Sequence, residues 1–202
     1  MKIQVGVMGS AGGILLPEHL KRAYQLGRGI AERDCVLVTG ACPGLPDAAA
    51  HGAHDAGGFV LGVSPAISLD EHIRIYSSPT EPYDAMVFTS SGLMGREVHN
   101  IHSSDFVLFI GGRSGTLGEF AIAFDEGKLI GILRDTGGII NELPAIARLI
   151  EKDTGSEIVV ENDPLVLLDA CFQAHRRRGR SSRPRIEEAM LTAGTSLPDE
   201  RS

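Results

Sequence analysis

Two side chains in this sequence could act together on a phosphorylated ligand: Arg96, in SSGLMGREVHN, and Glu119, in FVLFIGGRSGTLGEF. A guanidinium binds anions, and a carboxylate can accept a ribose hydroxyl or hold a water molecule for attack. Each follows an apolar run by a few residues, which places it early in a helix at the carboxyl end of a strand. If strands 85–89 and 106–110 are adjacent, both side chains reach one rim of the sheet.

Glu119 also has a purely structural interpretation. Thr116 as the N-cap and Glu119 three residues later form the pattern of a capping box, in which two reciprocal hydrogen bonds start a helix. Spacing alone favours the capping box. Arg96 at a fitting distance upstream favours a role for Glu119 at the ligand.

Three of the predicted strands end in small residues that suit an anion. Glycines let the backbone approach a phosphate closely, and the helix that follows directs free N–H groups and its positive dipole end towards it. The candidate ligand-binding residues are Gly9, Ser10, Gly40, Gly44, Gly111, Gly112, Arg113, Ser114, Gly115 and Thr116. None of these loops fits the dinucleotide GxGxxG fingerprint, and no P-loop motif is present. The pattern predicts a site for a nucleotide or sugar phosphate.

The elements that must position these residues alternate along the chain. Short apolar runs, typical of strands covered on both faces, occur at 3–8, 35–39, 59–63, 85–89, 106–110, 129–133 and 157–160. Helical patterns occupy 17–33, 46–56, 92–103, 116–126, 141–152 and 163–175. This alternation predicts an α/β fold: a Rossmann-like, doubly wound, mostly parallel sheet of about seven strands with helices on both faces.

Two segments do not follow this alternation. Residues 64–83 are rich in proline and serine and are predicted to form a long connection, and the sequence leaves open whether this connection closes over the ligand site. From His175 the chain carries six arginines within ten residues. We therefore expect a single nucleotide-binding domain over 1–174 and a flexible, arginine-rich tail over 175–202.

Composition excludes several classes of protein. The 202 residues carry a formal net charge of −7, which argues against general nucleic-acid binding, although the arginine-rich tail leaves that reading open as a minor alternative. Three widely spaced cysteines without a CxxC indicate a reducing compartment, and no apolar segment is long enough to cross a membrane. We expect a cytoplasmic protein. The histidine pairs lack a third ligand at a suitable spacing, so no metal site is expected.

The same residues resemble a known family. FIGGRSGTLGEF is similar to the PGGxGTxxE motif of the LONELY GUY (LOG) proteins, once labelled lysine decarboxylases, and LMGR is similar to their Met-x-x-Arg helix. The similarity covers about residues 3–135. The wider superfamily includes molybdenum cofactor carrier proteins and DNA-processing protein A. The resemblance implies hydrolysis of the N-glycosidic bond of a nucleoside 5′-monophosphate, with Arg96 and Glu119 as the catalytic pair and the backbone of 112–116 around the phosphate.

The sequence departs from the LOG motif at several positions. Gly111 replaces the motif proline, Arg113 replaces its second glycine, Gly118 stands where the enzymes are often acidic, and Glu97 stands where they are basic. These changes favour an alternative: a protein that carries a nucleotide or molybdenum cofactor without turnover. If the protein is an enzyme of the LOG type, no cofactor is required for the reaction. The resemblance also implies a homodimer or larger homo-oligomer.

Overall fold

The structure is a computed structural model that describes residues 1–193, with side chains up to Gly179. Its seven strands all run parallel, and each lies within about one residue of its predicted position: β1 (Gln4–Gly9), β2 (Val36–Thr39), β3 (Phe59–Ser64), β4 (Ala85–Phe88), β5 (Phe106–Ile110), β6 (Leu129–Leu133) and β7 (Glu157–Glu161). The helices are α1 (Pro17–Ala31), α2 (Leu45–Asp55), α3 (Leu69–Arg74), α4 (Gly92–His102), α5 (Ser114–Asp125), α6 (Leu143–Ile150) and α7 (Pro164–Ala193), with a 3₁₀ turn at Ile140–Glu142. The predicted Rossmann-like fold is confirmed.

The strand order is β4-β3-β2-β1-β5-β6-β7. The chain therefore winds outwards from β1 in one direction, then returns to the centre and winds the other way from β5. At this reversal the connections leave β1 and β5 towards opposite faces of the sheet, which opens a crevice at their carboxyl ends. The loops that begin at Gly9 and Gly111 flank that crevice.

The central strands are apolar throughout because both of their faces are covered. Every residue of β5 and β6 is buried. One core cluster joins the sheet to α1, α2 and α7, and includes Leu26, Leu108 and Leu168. A second cluster on the other face joins it to α4, α5 and α6, and includes Ile101, Phe109 and Phe120. These two cores hold the carboxyl ends of β1 and β5 in fixed positions.

Strands β4 and β5 are not adjacent, so the condition under which strand pairing would bring Arg96 and Glu119 to one rim is not met. Strand β4 lies at the edge of the sheet, and β3, β2 and β1 separate it from β5. Arg96 and Glu119 still reach a common rim because α4 connects that edge to β5 and packs against α5. The connecting helix, and not strand pairing, brings the two side chains together.

The two irregular segments are more structured than the sequence indicates. Residues 64–83 contain the short helix α3, which Ser68 caps by accepting a hydrogen bond from the Glu71 N–H. Helix α7 continues without interruption past residue 175, so the predicted boundary falls inside a helix. Arg177 forms an ion pair with Glu157 at 2.6 Å. The flexibility of the tail stays a prediction, and residues 194–202 lie outside the described part of the chain.

Two further properties concern the described residues only. Over residues 1–193 no helix is both long and apolar enough to cross a bilayer. Nor does this part of the chain bring three or more His, Cys, Asp or Glu side chains together in a group that could hold a metal ion.

Candidate functional site

A cleft of about 470 Å³ opens at the carboxyl ends of β1 and β5. The loops after β1 and β2 form one side, and the first turns of α4 and α5 form the other. Most of the predicted site residues line it: Gly9, Ser10, Gly40, Arg96, Arg113, Ser114, Gly115, Thr116 and Glu119. A volume of this size falls within the range of about 300–1,000 Å³ that is usual for small-molecule sites.

Arg96 and Glu119 form a buried ion pair in the wall of the cleft. Their side chains are each 8% exposed, and Arg96 Nη1 lies 3.9 Å from Glu119 Oε1. Gly40 makes this arrangement possible, because a Cβ at that position would lie only 1.5 Å from Arg96 Nη1. The guanidinium therefore rests directly on the backbone of the loop after β2.

The environment of Glu119 shifts its ionisation towards neutral pH. Burial raises the pKa of its carboxyl to about 7, and the nearby Glu97 raises it as well. The Arg96 guanidinium and the Asn100 amide act in the opposite direction. Desolvation dominates because the carboxylate loses most of its water on burial and has only one positively charged neighbour among the described residues, Arg96, at 3.9 Å. Near neutral pH the carboxyl is therefore close to half protonated.

Helix α5 begins two residues earlier than predicted, and the capping box does not form. Its N-cap is Arg113, with no side-chain cap, and its first backbone hydrogen bond runs from the Leu117 N–H to the Arg113 carbonyl. Thr116 is thus the third residue of the helix, and Glu119 lies in the second turn facing Arg96. The first-turn N–H groups of 114–116 precede any intrahelical partner and are available to an anion in the cleft.

The two glycines before α5 shape the loop and do not line the cleft. Both have positive φ, +62° at Gly111 and +128° at Gly112, a region that L side chains rarely adopt. The Gly112 N–H donates to Ser10 Oγ at 2.6 Å, and the Gly111 N–H donates to Thr136 Oγ1 at 2.8 Å. Both amides therefore have protein partners, and the amides that lack an intrahelical partner are those further along, at 114–116.

Gly44 likewise supports the site from behind. It is the N-cap of α2 with φ +92°, and a Cβ there would lie 2.2 Å from the Ser10 carbonyl oxygen. The same carbonyl accepts a hydrogen bond from the Leu45 N–H at 2.9 Å. The glycine thus lets the start of α2 press against the loop after β1 and fix Ser10.

Thr136 is a residue of the site that sequence reasoning did not identify. It is 2% exposed, donates its hydroxyl to the Leu133 carbonyl and accepts from Gly111, so it ties the loop after β6 to the loop after β5. A single threonine after a strand carries no signal of such a role in the sequence. Only its position beside Gly111 reveals it.

We expect Thr136→Val to lower the free energy of unfolding by about 1–3 kcal/mol, because it leaves the buried Gly111 N–H without an acceptor. Urea unfolding followed by circular dichroism measures the change. The exposed Thr80 provides the matched control, and Thr80→Val should change stability by less than about 0.5 kcal/mol. Equal effects of the two substitutions would show that Thr136 does not hold the loop.

Arg113 extends over the opposite side of the cleft. A Cβ added to Gly12 would lie 3.5 Å from Arg113 Nη2, and a Cβ added to Gly13 would lie 3.8 Å from Arg113 Cδ. The two glycines after β1 leave room for this side chain. The arginine thus places a positive charge between the loop after β1 and the start of α5, where the free amides also lie.

Three polar atoms in the wall are buried and have no hydrogen-bond partner within the described structure: Thr39 Oγ1, Arg96 Nε and Glu97 Oε2. Burying such an atom without a partner costs about 1–3 kcal/mol. Cys42 also lines the cleft, and burial raises the pKa of its thiol to about 11, so the thiol is neutral. Thr39 and Cys42 lie in the loop after β2 that the sequence indicated, but they were not selected as site residues, and only the folded chain shows that both line the cleft.

Solved structures with the same fold include two proteins that handle molybdenum cofactor. The molybdenum cofactor binding protein of Rippkaea orientalis is 28% identical, with a TM-score of 0.70 over 86% of this chain and 97% of its own. The molybdenum cofactor carrier protein of Chlamydomonas reinhardtii is also 28% identical, with a TM-score of 0.69 over 86% of this chain and 98% of its own. DNA processing protein A of Helicobacter pylori, 14% identical with a TM-score of 0.56, shares the fold alone.

Sequence comparison gives the family. An uncharacterized protein of Archaeoglobus fulgidus is 35% identical over 132 residues, which are 65% of this chain and 80% of that protein. The sequence model of the SLOG cluster4 family matches residues 2–166, a span that contains all seven strands and every residue of the cleft. Membership of the LOG group itself stays a prediction. The match shows that the chain belongs to the SLOG cluster4 family.

Proposed function

We propose that the protein binds a small phosphorylated ligand of the molybdenum cofactor type in this cleft and carries it without turnover. The observation that carries the proposal is the polarity of the cleft. One wall presents the free amides of α5 and the charge of Arg113. The others hold buried polar atoms whose partners the ligand would supply.

The phosphate would bind where the backbone is already arranged for it. The N–H groups of Ser114, Gly115 and Thr116 and the positive end of the α5 dipole favour a negative charge there. Arg113 adds a full charge across the opening, from which it reaches over Gly12 and Gly13. The rest of the ligand would extend over Thr39 and Arg96 towards Glu97. The similarity to molybdenum cofactor proteins at 28% identity supports this choice of ligand.

Departures from the LOG motif, and not the pKa of Glu119, favour carriage over hydrolysis. A carboxyl with a pKa near 7 can serve as a general acid or base in an enzyme as well as bind a ligand in a carrier. Burial raises the pKa of Glu119 to about 7, and the charged form is already directed at Arg96. Such a carboxyl suits a hydrogen bond to a bound ligand. Gly118 leaves α5 without the acidic side chain that often precedes the final Glu in the LOG enzymes, and this departure favours carriage.

We expect the protein to bind molybdenum cofactor that has been released from a cofactor-containing enzyme. Arg113→Gln should weaken that binding about tenfold, because a hydrogen bond to a charged group is worth about 1.5–3 kcal/mol. Fluorescence titration under anoxic conditions measures the affinity, and reconstitution of a cofactor-free acceptor enzyme shows that the cargo returns intact. Arg74→Gln is the control, because Arg74 lies on α3 and does not line the cleft. Failure of the wild-type protein to bind the cofactor would contradict the proposal.

A second candidate function is the LOG-type hydrolysis of nucleoside 5′-monophosphates. The observation that favours it is the Arg96–Glu119 pair, which lies in the cleft as the resemblance implies. Incubation with a panel of nucleoside monophosphates distinguishes the two functions. Release of free base that Glu119→Gln abolishes would establish the enzyme, and its absence from every reaction would leave carriage. The expected homodimer also stays a prediction.

A further inference from the structure

Glu97 is a buried carboxylate in the cleft that the proposed phosphate contacts do not use. It follows Arg96 on α4, is 5% exposed, and contributes to the wall of the cleft. Its Oε2 has no hydrogen-bond partner among the described residues. A buried acceptor of this kind is costly unless something donates to it, so the carboxylate marks a place where a ligand donor is expected.

The carboxylate faces α5 at two glycines. Its Oε1 lies 3.3 Å from the position of a Cβ on Gly115, and its Oε2 lies 2.9 Å from that on Gly118. The two glycines are three residues apart and therefore share one face of the helix. A side chain at 118 would push the carboxylate away, so the bare helix face is what lets Glu97 occupy this corner of the cleft.

This contact connects two of the departures from the LOG motif. The sequence has Glu97 at a basic position and Gly118 at an acidic one, and the structure places these two residues against each other. Where the LOG motif often has a carboxylate on α5, at the position of Gly118, this corner of the cleft has the carboxylate of Glu97 on α4. An acidic residue at 118 would be incompatible with Glu97, because two carboxylates in contact repel each other.

The lip beside this carboxylate is apolar. Leu93 and Met94 lie one turn earlier on α4, are 56% and 69% exposed, and line the same cleft. The Met94 methyl carbon lies 4.0 Å from the position of a Cβ on Gly118. An apolar surface next to a carboxylate suits a flat heterocycle, whose face packs on the methylene and thioether groups while its edge meets the oxygens.

We propose that Glu97 selects a ligand whose ring presents two adjacent N–H donors: the 2-amino-4-oxopyrimidine edge of a pterin or a guanine. An ionised carboxylate only accepts hydrogen bonds, and its two oxygens match the ring N–H and the 2-amino group as a bidentate pair. The adenine edge sets a ring nitrogen acceptor against the carboxylate, which is unfavourable. Sugar hydroxyls would gain nothing from the apolar lip. This inference rests on the proposed function and names the part of the ligand that the site reads.

Two pairs of compounds that differ at the 2-position test the inference. One pair is 6-hydroxymethylpterin monophosphate and its lumazine analogue, in which oxygen replaces the 2-amino group. The other is guanosine and inosine monophosphate. Calorimetric titration of the wild-type protein should show at least about tenfold tighter binding of the 2-amino compound, since a site built to pair a ligand N–H rejects the analogue without it. The pair that shows the preference identifies the ring.

Two variants show whether Glu97 is responsible. Glu97→Gln replaces one acceptor by a donor, and Gly118→Ala keeps the charge but places a methyl group 2.9 Å from the present position of Oε2, so the carboxylate must shift. Each should reduce the preference to within about twofold, because neither retains the bidentate acceptor. Gly118→Ala also replaces a glycine inside a helix by alanine, which has the higher helix propensity, so the backbone change should not lower the stability. A preference that survives in both variants would overturn the role of Glu97.

The remaining outcomes separate this inference from the proposed function. Equal binding of both members of each pair, or binding of molybdenum cofactor with none of the four compounds, would overturn the selection by Glu97 and leave carriage intact. Absence of binding by all five ligands would contradict carriage, and the inference would fail with it.

Discussion

Gly40→Ala should abolish most ligand binding although the substitution adds one methyl group. The new Cβ would lie 1.5 Å from Arg96 Nη1 and 2.4 Å from Arg96 Cζ, so the guanidinium must leave its place on the loop after β2. Hydrogen bonds to charged groups are worth about 1.5–3 kcal/mol. Loss of the Arg96 contacts should therefore weaken binding about 10- to 100-fold.

The same substitution should lower the free energy of unfolding by about 1–3 kcal/mol, the usual cost of overpacking a buried site. Displacing Arg96 also removes the charge that faces the buried Glu119 carboxyl. Calorimetric titration measures the affinity, and urea unfolding measures the stability.

Gly179→Ala is the matched control for Gly40→Ala. A Cβ at Gly179 meets no atom of the described residues within 4 Å, and the residue lies in the interior of α7. It should leave ligand affinity unchanged and stability equal or slightly higher, because alanine is the better helix former. Wild-type affinity in Gly40→Ala would show that Arg96 does not hold the ligand from its observed position.

Glu119→Gln should remove a large pH dependence of stability. Burial raises the pKa of Glu119 from 4.5 to about 7 in the folded protein. Below pH 4.5 the Glu119 carboxyl is protonated in both the folded and the unfolded chain, so its ionisation does not change the free energy of unfolding. As the pH rises towards 7 the unfolded chain loses the proton first, so stability falls, and above about 7 the loss is complete.

The size of this effect follows from the pKa difference. The two values differ by about 2.5 pH units, and at about 1.36 kcal/mol per unit the wild-type protein should lose about 3 kcal/mol relative to Glu119→Gln between pH 4.5 and 7. The variant also leaves Arg96 without its carboxylate. The attraction to Arg96 already lowers the pKa of Glu119, so this loss is contained in the titration of the carboxyl, and arginine itself stays charged throughout this range.

Urea unfolding of both proteins at several pH values from 4 to about 8 measures the difference. Glu142→Gln serves as the control for removing one exposed carboxyl, and it should not reproduce the difference that Glu119→Gln shows from the wild type. Parallel profiles for the wild type and Glu119→Gln would show that the Glu119 carboxyl is ionised as readily in the folded chain as in the unfolded one.

The sequence by itself was sufficient to predict the fold and most of the cleft. Strands β5 and β6 are uninterrupted apolar runs, which are typical of a parallel sheet covered on both faces. Glycine-rich loops at the strand ends indicated an anion site, and Gly9, Gly40 and Gly115 do line the cleft. These features are local: composition and spacing along a single segment determine them.

Sequence reasoning was less successful where the answer depended on other segments. Thr116 and Glu119 have the spacing of a capping box, but α5 begins at Ser114 and Glu119 instead faces Arg96. Gly112 was expected to present its amide to a phosphate, yet that amide donates to Ser10, about a hundred residues earlier in the chain. Neither contact leaves a local signature, because each partner is recruited from a distant loop.

The sequence alone therefore determined the elements of this protein, their parallel arrangement and the chemistry available at the ends of the strands. Only the tertiary structure decided which groups meet. It placed Arg96 on Gly40 and opposite Glu119, tied Gly111 to Thr136, and set Glu97 against the bare face of α5 at Gly118. The physical reason is that strand runs and helix spacing arise from neighbours along the chain, whereas burial, pKa and unpaired polar atoms arise from neighbours in space.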